Sequence, residues 1–219
     1  MRLLSGRTSP LALWTAVHQV PAALMLLALG CGVTLAFGGV RVHEIGPVVL
    51  PASLPMVLMM AIIPGHAAAV ATVRQTDGLG ELRSGRARDV ARLRAGWILV
   101  CLAVACVIGS LSGVAVGAFS PGLVTNIVLF GALGCLAALV GWAEIAWLPA
   151  TLVLLGAILF GSSSDQAANP WGALVLSETV SPARLGCAVA VVACAVVVAA
   201  TISPVPRAGL FVARTAGRR

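Results

Sequence analysis

Residues 74–118 read RQTDGLGELRSGRARDVARLRAGWILVCLAVACVIGSLSGVAVGA. The first part holds Arg74, Arg83, Arg86, Arg88, Arg92 and Arg94, and the part from Gly96 onward holds no charged residue. A hydrocarbon core about 30 Å thick takes roughly 20 apolar residues of helix to cross, and 96–118 meets that length. Arginine collects on the cytoplasmic side of membrane proteins. The pattern therefore predicts a cytoplasmic loop, 74–95, at the foot of a spanning helix.

Working outward, further apolar runs fill 21–37, 48–73, 123–140, 145–160 and 185–202. The expected architecture is an all-α membrane protein with about six transmembrane helices, forming one domain over 1–219. Composition agrees. With 60% hydrophobic and 10% charged residues and a mean hydropathy of +1.06, a soluble chain of 219 residues could not keep its apolar surface from water. The net charge of +7 is carried by arginine, with no lysine, and sits in short segments between the runs. That is a positive-inside signature with attraction to the headgroups of membrane lipids, and it excludes the basic face with interleaved aromatics that nucleic acid would require. Counting arginines places both termini in the cytoplasm of a multi-pass protein of the cell membrane, with Arg41 and Arg184 on the other side.

Residues 1–19 read as an interfacial elbow helix, opened by Pro10 and carrying Leu13, Trp14 and Val17 at helical spacing. No cleavable signal is expected there. A tight polar link, Gly38 to Gly46, then turns the chain back. The second span, 48–73, contains Pro51, Pro55 and Pro64, which predict kinks. In the third span Gly109, Gly113 and Gly117 recur every fourth residue and predict a helix-packing seam. Residues 161–183 form an external segment whose stretch 171–180 is about one short helix dipping into the outer leaflet, and 203–219 is a basic cytoplasmic tail.

Catalytic signatures are missing from this sequence. It has no phosphate loop and no lysine to supply one, no Gly-x-Ser-x-Gly elbow and no HExxH zinc motif, so the chain is expected not to be an enzyme. Cys31, Cys101, Cys106, Cys135, Cys187 and Cys194 all fall in apolar runs without zinc spacing and read as packing residues; no metal or cofactor is expected on this chain. The candidates for a substrate path are His66, Asn126 and Trp171. His66 is the ionisable residue deepest in an apolar run, which makes it a functional candidate, while a lone histidine also serves as a neutral packing residue. Asn126 can equally be interhelical glue.

Within the arginine cluster Leu79, Leu82, Val90, Leu93 and Trp97 form an apolar stripe interrupted near Ser84-Gly85, which reads as a short amphipathic helix, a turn, and a helix rising into the third span. A solvated positive-inside loop would have the same charge. The residue order narrows this. Arg74-Gln75-Thr76-Asp77-Gly78-Leu79-Gly80-Glu81-Leu82, followed by Arg83-Ser84-Gly85-Arg86-Ala87-Arg88-Asp89, resembles the cytoplasmic loop after the second span of ABC-2 type transporter permeases, where an Arg and an acidic or polar residue precede Gly-Thr-Leu-Glu, and a small helix is followed by a turn with Ser and Arg. The layout of elbow, two spans, coupling loop and four more spans is similar over nearly the whole chain. Two features depart from the family: its usual proline after the coupling helix is absent, with Gly85 in that region, and Gly80 lowers helix propensity.

The resemblance implies a permease subunit of an ABC exporter, working as a homodimer or heterodimer with a similar permease and driven by a separate ABC ATPase subunit that binds ATP and Mg. It implies a coupling helix, with Asp77, Leu79, Glu81, Leu82, Arg83 and Arg86 as contacts to the ATPase. Glu144, at the other cytoplasmic turn, is either a second contact or an interfacial carboxylate. The scarcity of charge in the spans points to a lipophilic or amphipathic cargo such as a drug, lipid or small peptide. The alternative is a non-transporting membrane protein, an immunity factor or assembly scaffold, that uses the same loop to dock a partner.

Overall fold

A computed structural model of the chain describes residues 19–45, 48–72, 87–161 and 170–201. The protein is mostly helical, and five helices among the described residues are long and apolar enough to cross a membrane. In chain order the elements are α1 (Val20–Phe37), β1 (Arg41–Ile45), β2 (Val48–Pro55), α2 (Met56–Met60), α3 (Ile62–Thr72), α4 (Ala87–Ala115), α5 (Pro121–Val140), a 3-10 turn at Ala143–Ile145, α6 (Leu148–Gly161), α7 (Pro170–Leu176) and α8 (Pro182–Thr201).

The all-α expectation needs one correction. The link after α1 and the first third of the expected second span form an antiparallel hairpin, with Arg41 opposite Pro55 and Ile45 opposite Val48. Pro51 and Pro55 would each remove a helical hydrogen bond and clash with the preceding turn, whereas β-branched Val48 and Val49 suit a strand. The register slips between Val42 and Glu44, which pair with Leu54 and Val49, so Pro51 falls in the stretch the ladder skips. A two-stranded sheet has open edges that hydrocarbon does not tolerate, which puts the hairpin at the membrane boundary or beyond.

What remains of the second span is the helical run Met56–Thr72. Its break at Ala61 is slight: the Ala61 N–H donates to Val57 O at 3.1 Å and the Gly65 N–H to Ala61 O at 3.2 Å, so helical bonding carries across. Seventeen residues rise roughly 25 Å at 1.5 Å each, just short of a full hydrocarbon core. Pro64, read as a kink, sits in α3 and is buried.

The bundle is organised around α5, whose span is the most buried of the five, with α3, α4, α6 and α8 packed around it. Each outer helix turns an apolar face outward, such as Leu24, Met25 and Leu29 on α1 or Leu152, Leu155 and Leu159 on α6. In water such faces would be a liability; in lipid they are the natural surface. Helix packing then depends on close approach, and between α3 and α5 backbone meets backbone. A Cβ on Gly65 would stand 2.8 Å from Gly131 N and 3.0 Å from Phe130 Cβ, and one on Gly134 would stand 2.7 Å from Ala69 Cβ.

The seam expected on α4 divides in two. A Cβ on Gly109 would meet Ile127 Cδ1 at 2.5 Å and one on Gly113 would meet Leu123 Cδ2 at 2.7 Å, both flexible side-chain ends on α5. Gly117 lies beyond the helix at φ +67°, with open space around its Cβ position. Its role is to let the chain turn toward Ser120, whose hydroxyl caps α5 by accepting from the Leu123 N–H at 3.2 Å.

Candidate functional site

The chain sorts its polar groups to two ends. Residues 38–41, 116–122 and 177–184 gather at the hairpin end, while Ala71, Thr72, Trp97 and the 3-10 turn lie at the end where the arginine loop departs.

The most elaborate polar arrangement is at the hairpin end. Asn126, on the second turn of α5, is fully buried, and its Nδ2 donates to Leu58 O of α2 at 3.0 Å and to Val175 O of α7 at 2.8 Å. Its Oδ1 accepts from Arg184 Nη2 at 2.6 Å, and the same Nη2 donates to Gly122 O at 2.7 Å. Arg184 Nη1 donates to Thr179 O at 3.1 Å and to Ser177 O. One side-chain pair thus ties α2, α5, α7 and α8 together.

Arg184, expected on the side opposite the arginine loop, lies at the hairpin end and is 1% exposed. Among the described residues no carboxylate lies within 4.0 Å of it, so its charge is spread over carbonyl dipoles and the Asn126 amide. The link after α7 supplies two of those carbonyls, and it can approach because position 122 is glycine. A Cβ there would run into Ser177 O and lie 2.9 Å from Glu178 O. The Gly122 N–H donates to Glu178 O at 3.0 Å, closing the junction.

Beside it is a cavity of about 140 Å³ lined by Gly38, Gly39, Arg41, Gly117 and Glu178 among others. Arg41 Nη2 and Glu178 Oε1 are 3.4 Å apart across it, with side chains 56% and 42% exposed. Exposed pairs of this kind contribute little. We expect Glu178→Gln to change the unfolding free energy by less than about 1 kcal/mol, as measured by denaturant titration in detergent.

Of the substrate-path candidates, Asn126 is engaged wholly in hydrogen bonds to protein groups. His66 lies on α3 next to Gly65, with its Nδ1 buried and unpartnered among the described residues. Trp171 is the second residue of α7, and its side chain lies outside the described residues. Glu144 is exposed on the 3-10 turn. Asp77, Leu79, Glu81, Leu82, Arg83 and Arg86, together with the elbow 1–18 and the tail 203–219, lie outside the described residues. Among the described residues no three His, Cys, Asp or Glu side chains come together to hold a metal ion.

The flanks of the arginine loop are described. Trp97 Nε1 donates to Ala71 O at 2.8 Å, clamping α4, ten residues beyond its start, to the last turn of α3. Sequence reading missed this clamp, Arg184 and Gly65. An arginine just inside an apolar run was the available signal for the second.

Comparison with known proteins finds no matching family model, no matching curated protein and no matching solved structure.

Proposed function

We propose that the chain is the membrane-spanning subunit of an ATP-driven ABC exporter of the ABC-2 type, with Met56–Thr72 as the second of six crossings and residues 77–89 as the contact to a separate ATPase. The observation that carries the reading is where the loop of that sequence is attached. It joins α3 to α4, helices tied together where α3 ends by the Trp97 to Ala71 hydrogen bond. α3 in turn meets the central α5 backbone to backbone at Gly65 and Gly131. A displacement of the loop would be passed to α3 and α4 as one body and on to α5, since close-packed backbones slide or tilt before they compress.

At the far end the Arg184 junction fixes α7 and the 177–181 link to the start of α5. A tilt of α5 would therefore move the cap of the bundle as well. The cavities at the two ends are about 140 and 160 Å³, well under the several hundred that a drug-sized ligand occupies. On this reading cargo passes between two copies of the chain, in the cell membrane, with both termini and the arginine loop in the cytoplasm.

The test is the double change Leu79→Asp and Leu82→Asp. Two unpaired carboxylates in a partly buried contact cost on the order of several kcal/mol, comparable to the binding energy of a modest interface. We expect the ATPase to be lost from the purified complex while the membrane subunit inserts at its normal level. Normal insertion with full ATPase retention contradicts the coupling assignment.

A further inference from the structure

The turn that joins α5 to α6, residues 141–147, carries Trp142, Ile145 and Trp147 at 59%, 40% and 45% exposure around the exposed side chain of Glu144. Three large apolar side chains stand outward from a turn whose backbone is tied down. The Gly141 N–H donates to Ala138 O at 3.2 Å, the Trp142 N–H to Ala137 O at 2.8 Å and the Ile145 N–H to Trp142 O at 3.1 Å. Ala146 is buried, with its carbonyl oxygen 3.2 Å from where a Cβ on Gly134 of α5 would stand. A turn bonded in this way can stand at the edge of hydrocarbon, where unpaired backbone groups are costly.

Helix length sets its depth. α5 has 20 residues, about 30 Å at 1.5 Å each, which is the thickness of the hydrocarbon core. With Pro121 at the boundary on the hairpin side, Val140 reaches the opposite boundary, and 141–147 falls in the headgroup layer. The outward face of α6, with Leu152, Leu155 and Leu159 exposed, continues from the turn toward the hairpin end. Neither indole N–H of Trp142 and Trp147 has a hydrogen-bond partner among the described residues. An indole joins an apolar body to one N–H donor, which suits it to the layer where lipid ester and phosphate oxygens accept. We propose that the 141–147 turn is seated in the headgroup layer of the leaflet at the arginine-loop end, with Trp142 and Trp147 donating to lipid oxygens. Glu144, between the two indoles, is then an interfacial carboxylate and not a contact to an ATPase. The assignment is independent of the transport reading and holds equally for a non-transporting membrane protein.

The test reads the depth of each indole. Two full-length variants keep a single tryptophan, Trp142 or Trp147, with the other four replaced by Phe, and are placed in phosphatidylcholine vesicles whose acyl chains carry bromine either near the glycerol or near the chain ends. We expect the shallow bromines to quench both indoles, and most of that quenching to be lost when the bromines are moved to the chain ends. Equal or stronger quenching of either indole by the deep bromines overturns the proposal, since the turn then lies in hydrocarbon. Quenching by aqueous iodide with none by bromine also overturns it, because the turn then stands in water, where an ATPase could reach it. Quenching by neither overturns it as well, the turn then being covered by residues 1–18 or by a second copy. Should a single-Trp variant fail to fold, Trp142→Phe and Trp147→Phe are each compared with the wild-type chain in the same vesicles. Each change should remove part of the shallow quenching, and quenching left unchanged by either one overturns the proposal.

Discussion

Gly65→Leu should yield no stably folded protein, and Gly65→Ala should lower stability by about 1–3 kcal/mol, the usual cost of forcing an extra group into a packed interior. The reason is what the new atom would meet. A Cβ at 65 faces Gly131 N at 2.8 Å, Phe130 Cβ at 3.0 Å and Ile127 O at 3.2 Å, so two of the three obstacles are backbone atoms that cannot rotate away. The helices must separate, and in lipid no hydrophobic drive between them offsets the lost contact. Gly156→Ala is the matched control, because nothing lies within 4 Å of a Cβ there. Gly113→Ala should fall between the two, since its obstacle is the end of the Leu123 side chain. Thermal unfolding of the purified variants in one detergent gives the order, and Gly65→Ala as stable as Gly156→Ala would contradict the α3–α5 contact.

The second large effect belongs to Asn126 and Arg184. Asn126→Leu keeps the side-chain volume but removes the acceptor for Arg184 Nη2 and the donors to Leu58 O and Val175 O. Hydrogen bonds to charged groups contribute about 1.5–3 kcal/mol in water, while bonds between helices in a bilayer average nearer 0.6 kcal/mol. Three bonds lost around a buried guanidinium should therefore cost about 2–4 kcal/mol. Arg184→Leu alone should cost a similar amount by removing the donor to Ser177 O, Thr179 O and Asn126 Oδ1 and one of the donors to Gly122 O. Because the two share one bond, the double variant should be more stable than the sum of the singles predicts by about 1 kcal/mol or more. Strict additivity in an equilibrium unfolding series would show that the pair does not act as a unit.

These two sites mark where the sequence stopped being legible. Length and hydropathy define crossings because lipid admits so few backbone solutions, and α1, α4, α5, α6 and α8 fall where the apolar runs lie. The hairpin was not legible, because Val48, Val49 and Leu50 are as apolar as a span and hydropathy does not register that Pro51 and Pro55 cannot sustain a helix. The glycines of α4 drew attention by their regular spacing, yet a repeat on one helix does not reveal its neighbour. Gly65 and Gly131 have no spacing to notice; their fit exists only once α3 lies on α5. Arg184 was counted with the polar flanks because it is the third residue of α8, where one turn decides between solvent and a carbonyl cage. The residues of the coupling loop, 77–86, lie outside the described structure, so their roles rest on residue order and on where the loop is attached.

The coupling proposal requires the arginine loop to face the cytoplasm while the hairpin end faces out. Single cysteines at Gly117, Ser163, Gly85 and Trp142, placed one at a time in a background with the six native cysteines replaced, can be tested with a membrane-impermeant thiol reagent on intact cells. The account predicts labelling at Gly117 and Ser163 in intact cells, and at Gly85 and Trp142 only after the membrane is opened. Labelling of Gly85 in intact cells would contradict it.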